Sequence, residues 1–194
     1  MIRNSRLILV LDVLSRDRAL DLASSLRDKI DYVKVGYPLI LAAGLDVVGE
    51  LSRIAPVIAD LKIADIPNTN TLISEQVLEA GASGIIAHAF VGKDSLSACV
   101  DAAREHGGLV FAMTEMSHPG AEELMAPVAE RLARMATECG VVGDLAIISP
   151  GVGAQGGSAR AAIEAGADSL IVGRSITESP NPAASADAIL REIR

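Results

Sequence analysis

The 194 residues carry 25 acidic against 17 basic side chains, a formal charge of −8. That balance excludes a broad surface for polyanions but leaves room for one phosphate site. Half of the residues are hydrophobic and 22% are charged, enough to build a core and too apolar for a disordered chain. The length predicts a single domain over 1–194. Two cysteines, no apolar run of about 18 residues and a polar start at Met1–Arg6 predict a cytoplasmic protein without a disulfide scaffold, bilayer span or secretory signal. Aromatic residues are 2% and Trp is absent, so stacking on nucleic-acid bases has little to work with.

In chain order, short aliphatic runs alternate with amphipathic segments. Leu7–Leu11 reads as a strand ending at Asp12. Behind it Ala19, Leu22, Ala23 and Leu26 keep helical spacing, with Ser15 as the cap. Tyr32–Val35 is the second strand, carrying Lys34. Val47, Val48, Leu51 and Ile54 form a helical stripe after it. Val57–Ile63 is the third strand, with Asp60 and Lys62 inside it. A helix follows with Asn70 as its cap, Ile73 and Val77 facing inward and Gly81 closing it. Ile85–Ala87 is the fourth strand, and Leu96, Cys99, Val100 and Ala103 mark its helix. Leu109–Met113 is the fifth strand, followed by a longer helix through Val128, Leu132 and Met135. Leu145–Ile148 and Leu170–Val172 complete the strands, and the Pro180–Pro182 stretch opens the last helix.

Aliphatic strands without polar alternation are buried on both faces, which means parallel strands covered by helices. Strict alternation of strand and helix leaves a doubly wound sheet or a (β/α)₈ barrel. Polar residues at nearly every strand end (Asp12, Lys34, Lys62, His88, Thr114, Ser149 and Arg174) favour the barrel, whose sites are assembled from the carboxyl ends of several strands.

The sharpest constellation is Asp60-Leu61-Lys62-Ile63-Ala64-Asp65. Strand period two places Asp60 and Lys62 on one face, and Asp65 lies beyond the strand end. A structural ion pair would explain Asp60 and Lys62 alone. Lys34 and Asp12 end two further strands, and a Lys/Asp cluster at one barrel mouth is costly to desolvate outside a functional site. The loop Ser149 to Gly157 contains Pro150, Gly151, Val152, Gly153, Ala154 and Gln155. It follows a strand and opens a helix, so its amides and the helix dipole suit an anion. Gly173 and Arg174 end the last strand, where Arg174 adds a bidentate phosphate donor. Ser117, in the polar loop after the fifth strand, is placed to hydrogen-bond a base or sugar. His88 reads as a satisfied rim or core residue, His106 as a helix-end residue and His118 as solvated. Cys99 and Cys139 read as core. The three His and two Cys show no metal-ligand spacing.

Asp60 to Asn70 (Asp-Leu-Lys-Ile-Ala-Asp-Ile-Pro-Asn-Thr-Asn) resembles the signature of orotidine 5′-phosphate decarboxylase. Leu7–Asp12, Val33–Pro38, Thr114–Ala121, Ser149–Gly157 and Ile171–Ser175 match the same family in order, in its compact archaeal form. The resemblance implies a (β/α)₈ barrel working as a dimer. It also implies decarboxylation of orotidine monophosphate to UMP and CO₂, a step in making pyrimidines, with no metal or organic cofactor. Lys62 resembles the lysine that protonates C6, and Asp60 the carboxylate facing the departing CO₂. Asp65 resembles the aspartate that crosses the dimer interface, with Ile66 and Thr69 beside it. Lys34, which also joins the catalytic set, and Asp12 match the ribose-contacting pair. Ser117 matches the residue at the pyrimidine. Gln155, Gly173 and Arg174 match the phosphate grip, with Pro150 to Ala154 in the same loop.

Asp-x-Lys-x-x-Asp alone marks a wider superfamily that includes sugar-phosphate decarboxylases and aldolases. One departure stands out. About seven strands are visible where a closed barrel has eight. The sixth strand and helix of the family, due between Cys139 and Asp144, have no counterpart in the sequence. If that unit is missing, a non-catalytic UMP-binding variant is a further alternative.

Overall fold

The computed structural model describes residues 5–141, 147–150 and 157–193. β1 (Leu7–Val10) leads into α1 (Arg16–Leu26), which starts where the Ser15 hydroxyl accepts from the Arg18 amide. All four residues of its predicted stripe are buried. β2 (Tyr32–Gly36) is followed by two short helices, α2 (Tyr37–Ala43) and α3 (Asp46–Ser52). Only α3 was legible from spacing; α2 is initiated by Pro38 in its first turn, where a missing amide costs nothing. β3 (Val57–Ile63) has the predicted bounds, and α4 (Pro67–Glu79), β4 (Gly84–His88), α5 (Lys93–Glu105) and β5 (Leu109–Met113) follow. The single long helix expected next is broken into α6 (Gly120–Leu124), a 3₁₀ turn over Ala126–Val128 and α7 (Ala129–Glu138). Pro127, with no amide to donate, accounts for the break. β6 (Ile148–Ser149), α8 (Ala159–Glu164), β7 (Ser169–Val172), α9 (Arg174–Thr177) and α10 (Pro182–Glu192) complete the order. Part of the strand expected at Leu145–Ile148 lies outside the described residues, as does half of the stretch from Cys139 to Asp144 where the sixth unit was missed.

The chain forms two compact units, Met1–Val57 with Ala146–Arg194, and Ile58–Leu145. In the first, the strand order β2–β1–β7–β6 is parallel throughout. Val10 pairs with Lys34, and Leu9 with Val172. Leu7, Leu9, Leu11, Val33, Val35, Leu170 and Val172 are fully buried in this unit. Its first strand is pinned at the start, because the Ser5 and Arg6 amides donate to the Asp31 carboxylate and the Arg6 guanidinium donates to the carbonyls of Ala167 and Asp168.

In the second unit β3, β4 and β5 pair in parallel, with Ile58 opposite Gly84 and His88 opposite Met113. Leu96 and Cys99 of α5 are fully buried, and α4 packs against that helix. β3 and β4 are almost wholly buried, as parallel strands should be. β5 departs from the expectation: Leu109 is exposed and its other residues are half-buried. Among the described residues of this unit β5 pairs only with β4, which leaves its outer edge uncovered there. No helix among the described residues is long and apolar enough to cross a membrane.

Candidate active site

Lys62 Nζ donates to both carboxylate oxygens of Asp60, at 2.8 and 2.9 Å. Asp60 is buried, while the lysine side chain keeps about a third of its surface exposed (34%). The pair is therefore open to a ligand on the lysine side. The backbone beneath it is irregular. Lys62 has φ +46°, and the β3–β4 register shifts between Ala59 and Ile63. A left-handed conformation costs an L-residue roughly 1–2 kcal/mol. Bulges of this kind re-aim a side chain, and such strain concentrates at functional sites. Period two predicted the right neighbours, although the strand is not regular where they meet.

Beyond the strand end Ala64, Asp65 and Ile66 are all exposed. The Asp65 carboxylate accepts from the Ile66 amide at 2.7 Å. Ile66 is the N-cap of α4 and Pro67 its first helical residue, so Thr69 lies in the first turn, half-buried. Asn70, read from the sequence as the cap, sits inside the helix instead. The missed signal was Pro67, which marks a helix start three residues earlier. Ser117 lies in an exposed bend after β5, beside the exposed His118.

His88 ends β4 and is nine-tenths buried. Its ring lies 4.6 Å from that of Phe90. The expectation of a satisfied histidine fails, because Nδ1 has no hydrogen-bond partner among the described residues. Burial lowers its pKa below the ordinary value of 6.5, and the Lys62 ammonium lowers it further against an opposing pull from Asp60. The neutral ring is therefore favoured in the folded state. Unfolding releases a histidine that takes up protons more readily, so His88 weakens the fold as pH drops below about 6.5. Urea midpoints at pH 7.5 and 5.5 are expected to show a smaller loss of stability in His88→Gln than in the parent. Equal losses would show that His88 does not contribute. Cys99 is buried as expected, but Cys139 is only half-buried, just past the end of α7.

In the first unit Asp12, Gly173 and Arg174 follow the carboxyl ends of β1 and β7, whereas Lys34, expected to end its strand, sits in the middle of β2 because that strand runs on through Val35 to Gly36. The Leu11 amide donates to the Lys34 carbonyl at 2.9 Å, which sets Asp12 just past the end of β1. Lys34 is buried within β2, whereas Asp12 is exposed. Gly173 follows β7 directly, and a Cβ there would come within 3.3 Å of Val10 Cβ. Arg174 is exposed at the start of α9. Pro150 is exposed after β6. Gly151, Val152, Gly153, Ala154 and Gln155 lie outside the described residues. No group of three or more His, Cys, Asp or Glu among the described residues is arranged to hold a metal ion.

The model of the Orotidine 5′-phosphate decarboxylase / HUMPS family matches residues 5–189. This chain belongs to that family. It is 50% identical to an orotidine 5′-phosphate decarboxylase of Methanosarcina mazei, over all of this chain and 97% of that one. A relative of the same name from Methanococcoides burtonii is 52% identical, over all of this chain and 99% of that one. Among solved structures, the orotidine 5′-phosphate decarboxylase of Pyrococcus horikoshii OT3 matches with a TM-score of 0.87 at 41% identity, over 97% of this chain and 99% of that one. The Methanocaldococcus jannaschii orotidine 5′-monophosphate decarboxylase complexed with the inhibitor BMP matches at 0.89 and 39% identity, over 97% and 98%. The fold class is that of these family members, the (β/α)₈ barrel, here with seven strands among the described residues. The alignment to the M. mazei relative runs over 214 positions against 194 residues, so at least twenty have no counterpart in this chain. That is the size of a short strand and helix.

Proposed function

We propose that this family member decarboxylates orotidine 5′-monophosphate to UMP and CO₂. The observation that carries the reading is the Lys62–Asp60 pair, made by a buried carboxylate and a half-open ammonium on a strained strand end. Membership of the family, and relatives bearing the decarboxylase name at about half identity, support it.

The chemistry follows from where charge develops. Breaking the C6–carboxylate bond leaves the electron pair on C6, where the ring delocalises it poorly. An ammonium held at that carbon stabilises the developing charge and then delivers its proton to it. At ~4 Å and an effective dielectric constant of ~20, one such contact is worth about 4 kcal/mol before desolvation costs. Asp60 orients the ammonium and faces the departing CO₂. Lys34 and Asp12 bind the ribose, and Lys34 joins the charged set at the reacting ring. Ser117 contacts the pyrimidine. The working unit is a homodimer in the cytoplasm, with Asp65, Ile66 and Thr69 of one protomer serving its partner's site. No metal or organic cofactor takes part.

Pro150 to Gln155, Gly173 and Arg174 bind the phosphate. The phosphate is remote from C6, so its binding energy is available to organise the site without touching the reacting bond. Arg174→Ala should weaken UMP binding by about 1.5–3 kcal/mol and leave uridine almost unaffected. Titration calorimetry with both ligands decides this, and equal losses would make Arg174 structural.

The test of the reading is an absorbance assay on orotidine monophosphate with and without chelator. Turnover that is insensitive to chelator is expected. Loss of activity with EDTA would favour a metal-dependent sugar-phosphate enzyme of the same superfamily. UMP binding without turnover would mark a non-catalytic relative.

A further inference from the structure

We infer that Asn70 is a positioning residue, which holds Asp65 in place by tying its loop to the start of α5. The inference rests on the decarboxylase reading for what Asp65 does, but the tie itself is visible in the geometry. Asn70 has no exposed surface. Its Oδ1 accepts from the Asp65 amide at 2.9 Å, and its Nδ2 donates to the Ser95 carbonyl at 3.0 Å. Its own amide donates to the Ile66 carbonyl at 3.0 Å. One side chain therefore spans from the loop after β3 to the first turn of α5, with both ends of its amide group used.

Helix α4 does not require this residue. Its start is set by Ile66 and Pro67, and Asn in a helix interior has a poorer propensity than Ala or Leu. A polar group is worth burying here only if its hydrogen bonds are needed. The loop needs them. Ala64, Asp65 and Ile66 are exposed, so burial of their side chains does not hold the segment. The Asp65 carboxylate bonds the next amide along the chain, at Ile66, which shapes the turn but does not anchor it. The link from Asn70 to Ser95 connects the turn to a helix whose Leu96 and Cys99 are fully buried. Asp65 is thereby placed by the packing of α4 on α5, through a residue that need not touch substrate.

The test is a double-mutant cycle between Asn70→Ala and Asp65→Ala, read as kcat and KM for orotidine monophosphate on folded protein. Asn70→Ala is expected to lower kcat about a hundredfold, the scale of an ångström misplacement. In the Asp65→Ala background the same substitution should lower it less than about threefold, because the carboxylate it positions is gone. A purely structural role would reduce the melting temperature and leave kcat of the folded enzyme unchanged, or cost the same factor in both backgrounds. Either result overturns the inference. Should Asn70→Ala fail to fold, Asn70→Ser serves in its place. Its hydroxyl can bond the carbonyl four residues back within the helix but cannot span to Ser95, and the same kinetic pattern is expected.

Amide hydrogen exchange gives a readout independent of activity. The Asp65 amide should exchange faster in the Asn70 variant, while amides within β4 keep their protection. A parent that does not turn over orotidine monophosphate would defeat the decarboxylase reading and leave this arm to judge the tie. An Asp65 amide as slow in the variant as in the parent would show that no tie exists.

Discussion

Lys62→Ala is expected to reduce turnover of orotidine monophosphate by several orders of magnitude while leaving UMP affinity within about tenfold. The asymmetry comes from when the contact acts. On the proposed mechanism the ammonium meets full negative charge on C6 only as CO₂ leaves, and UMP carries no such charge, so the substitution removes transition-state binding far more than ground-state binding. It also removes the proton donor, which an exposed water replaces poorly. The buried Asp60 would lose the Lys62 ammonium held 2.8 Å from it, so thermal unfolding should be measured beside the kinetics. A variant that retains even a tenth of the parent rate would reject Lys62 as the catalytic residue.

Mixing Asp60→Ala subunits with Asp65→Ala subunits, each retaining only a small, measurable fraction of parent turnover alone, should restore activity. If Asp65 serves the partner's site, a mixed dimer holds one site with both carboxylates and one with neither. At equal concentrations half of the dimers are mixed, so about one quarter of parent activity is expected once exchange is complete. The exposure of Asp65 and Ile66 fits a segment that reaches outward rather than back to its own strand. Full subunit exchange, shown by differently tagged protomers, without any recovery would place each site within one subunit.

The expected effects of these variants depend on different layers of information. Strands β1 to β5 were legible because each is a short aliphatic run between turn-forming residues; in β1 to β4 burial on both faces removes the polar alternation that would blur it, while β5 keeps the aliphatic run although it is only half-buried. The bounds of β3 and β5 coincide with those runs. Helix α1 was legible from its cap and spacing, both of which act within one turn. Asp60 and Lys62 were legible as a pair because two residues apart on a strand share a face. The motif from Asp60 to Asn70 then pointed to the family, since its residue order survives where geometry cannot be read.

Other features were decided only by tertiary structure. The left-handed backbone at Lys62 and the shifted register beside it come from fitting β3 against β4, and no local preference of a lysine would produce them. The isolated Nδ1 of His88 depends on which neighbours stop short of it. Asn70 was misread as a cap because its side chain reaches back five residues to Asp65 and across to Ser95, twenty-five residues away in sequence, and only the packing of α4 on α5 brings Ser95 within reach. Local rules thus identify the residues that carry the charge, while the contacts that hold those residues at their working distances are non-local and belong to the folded chain.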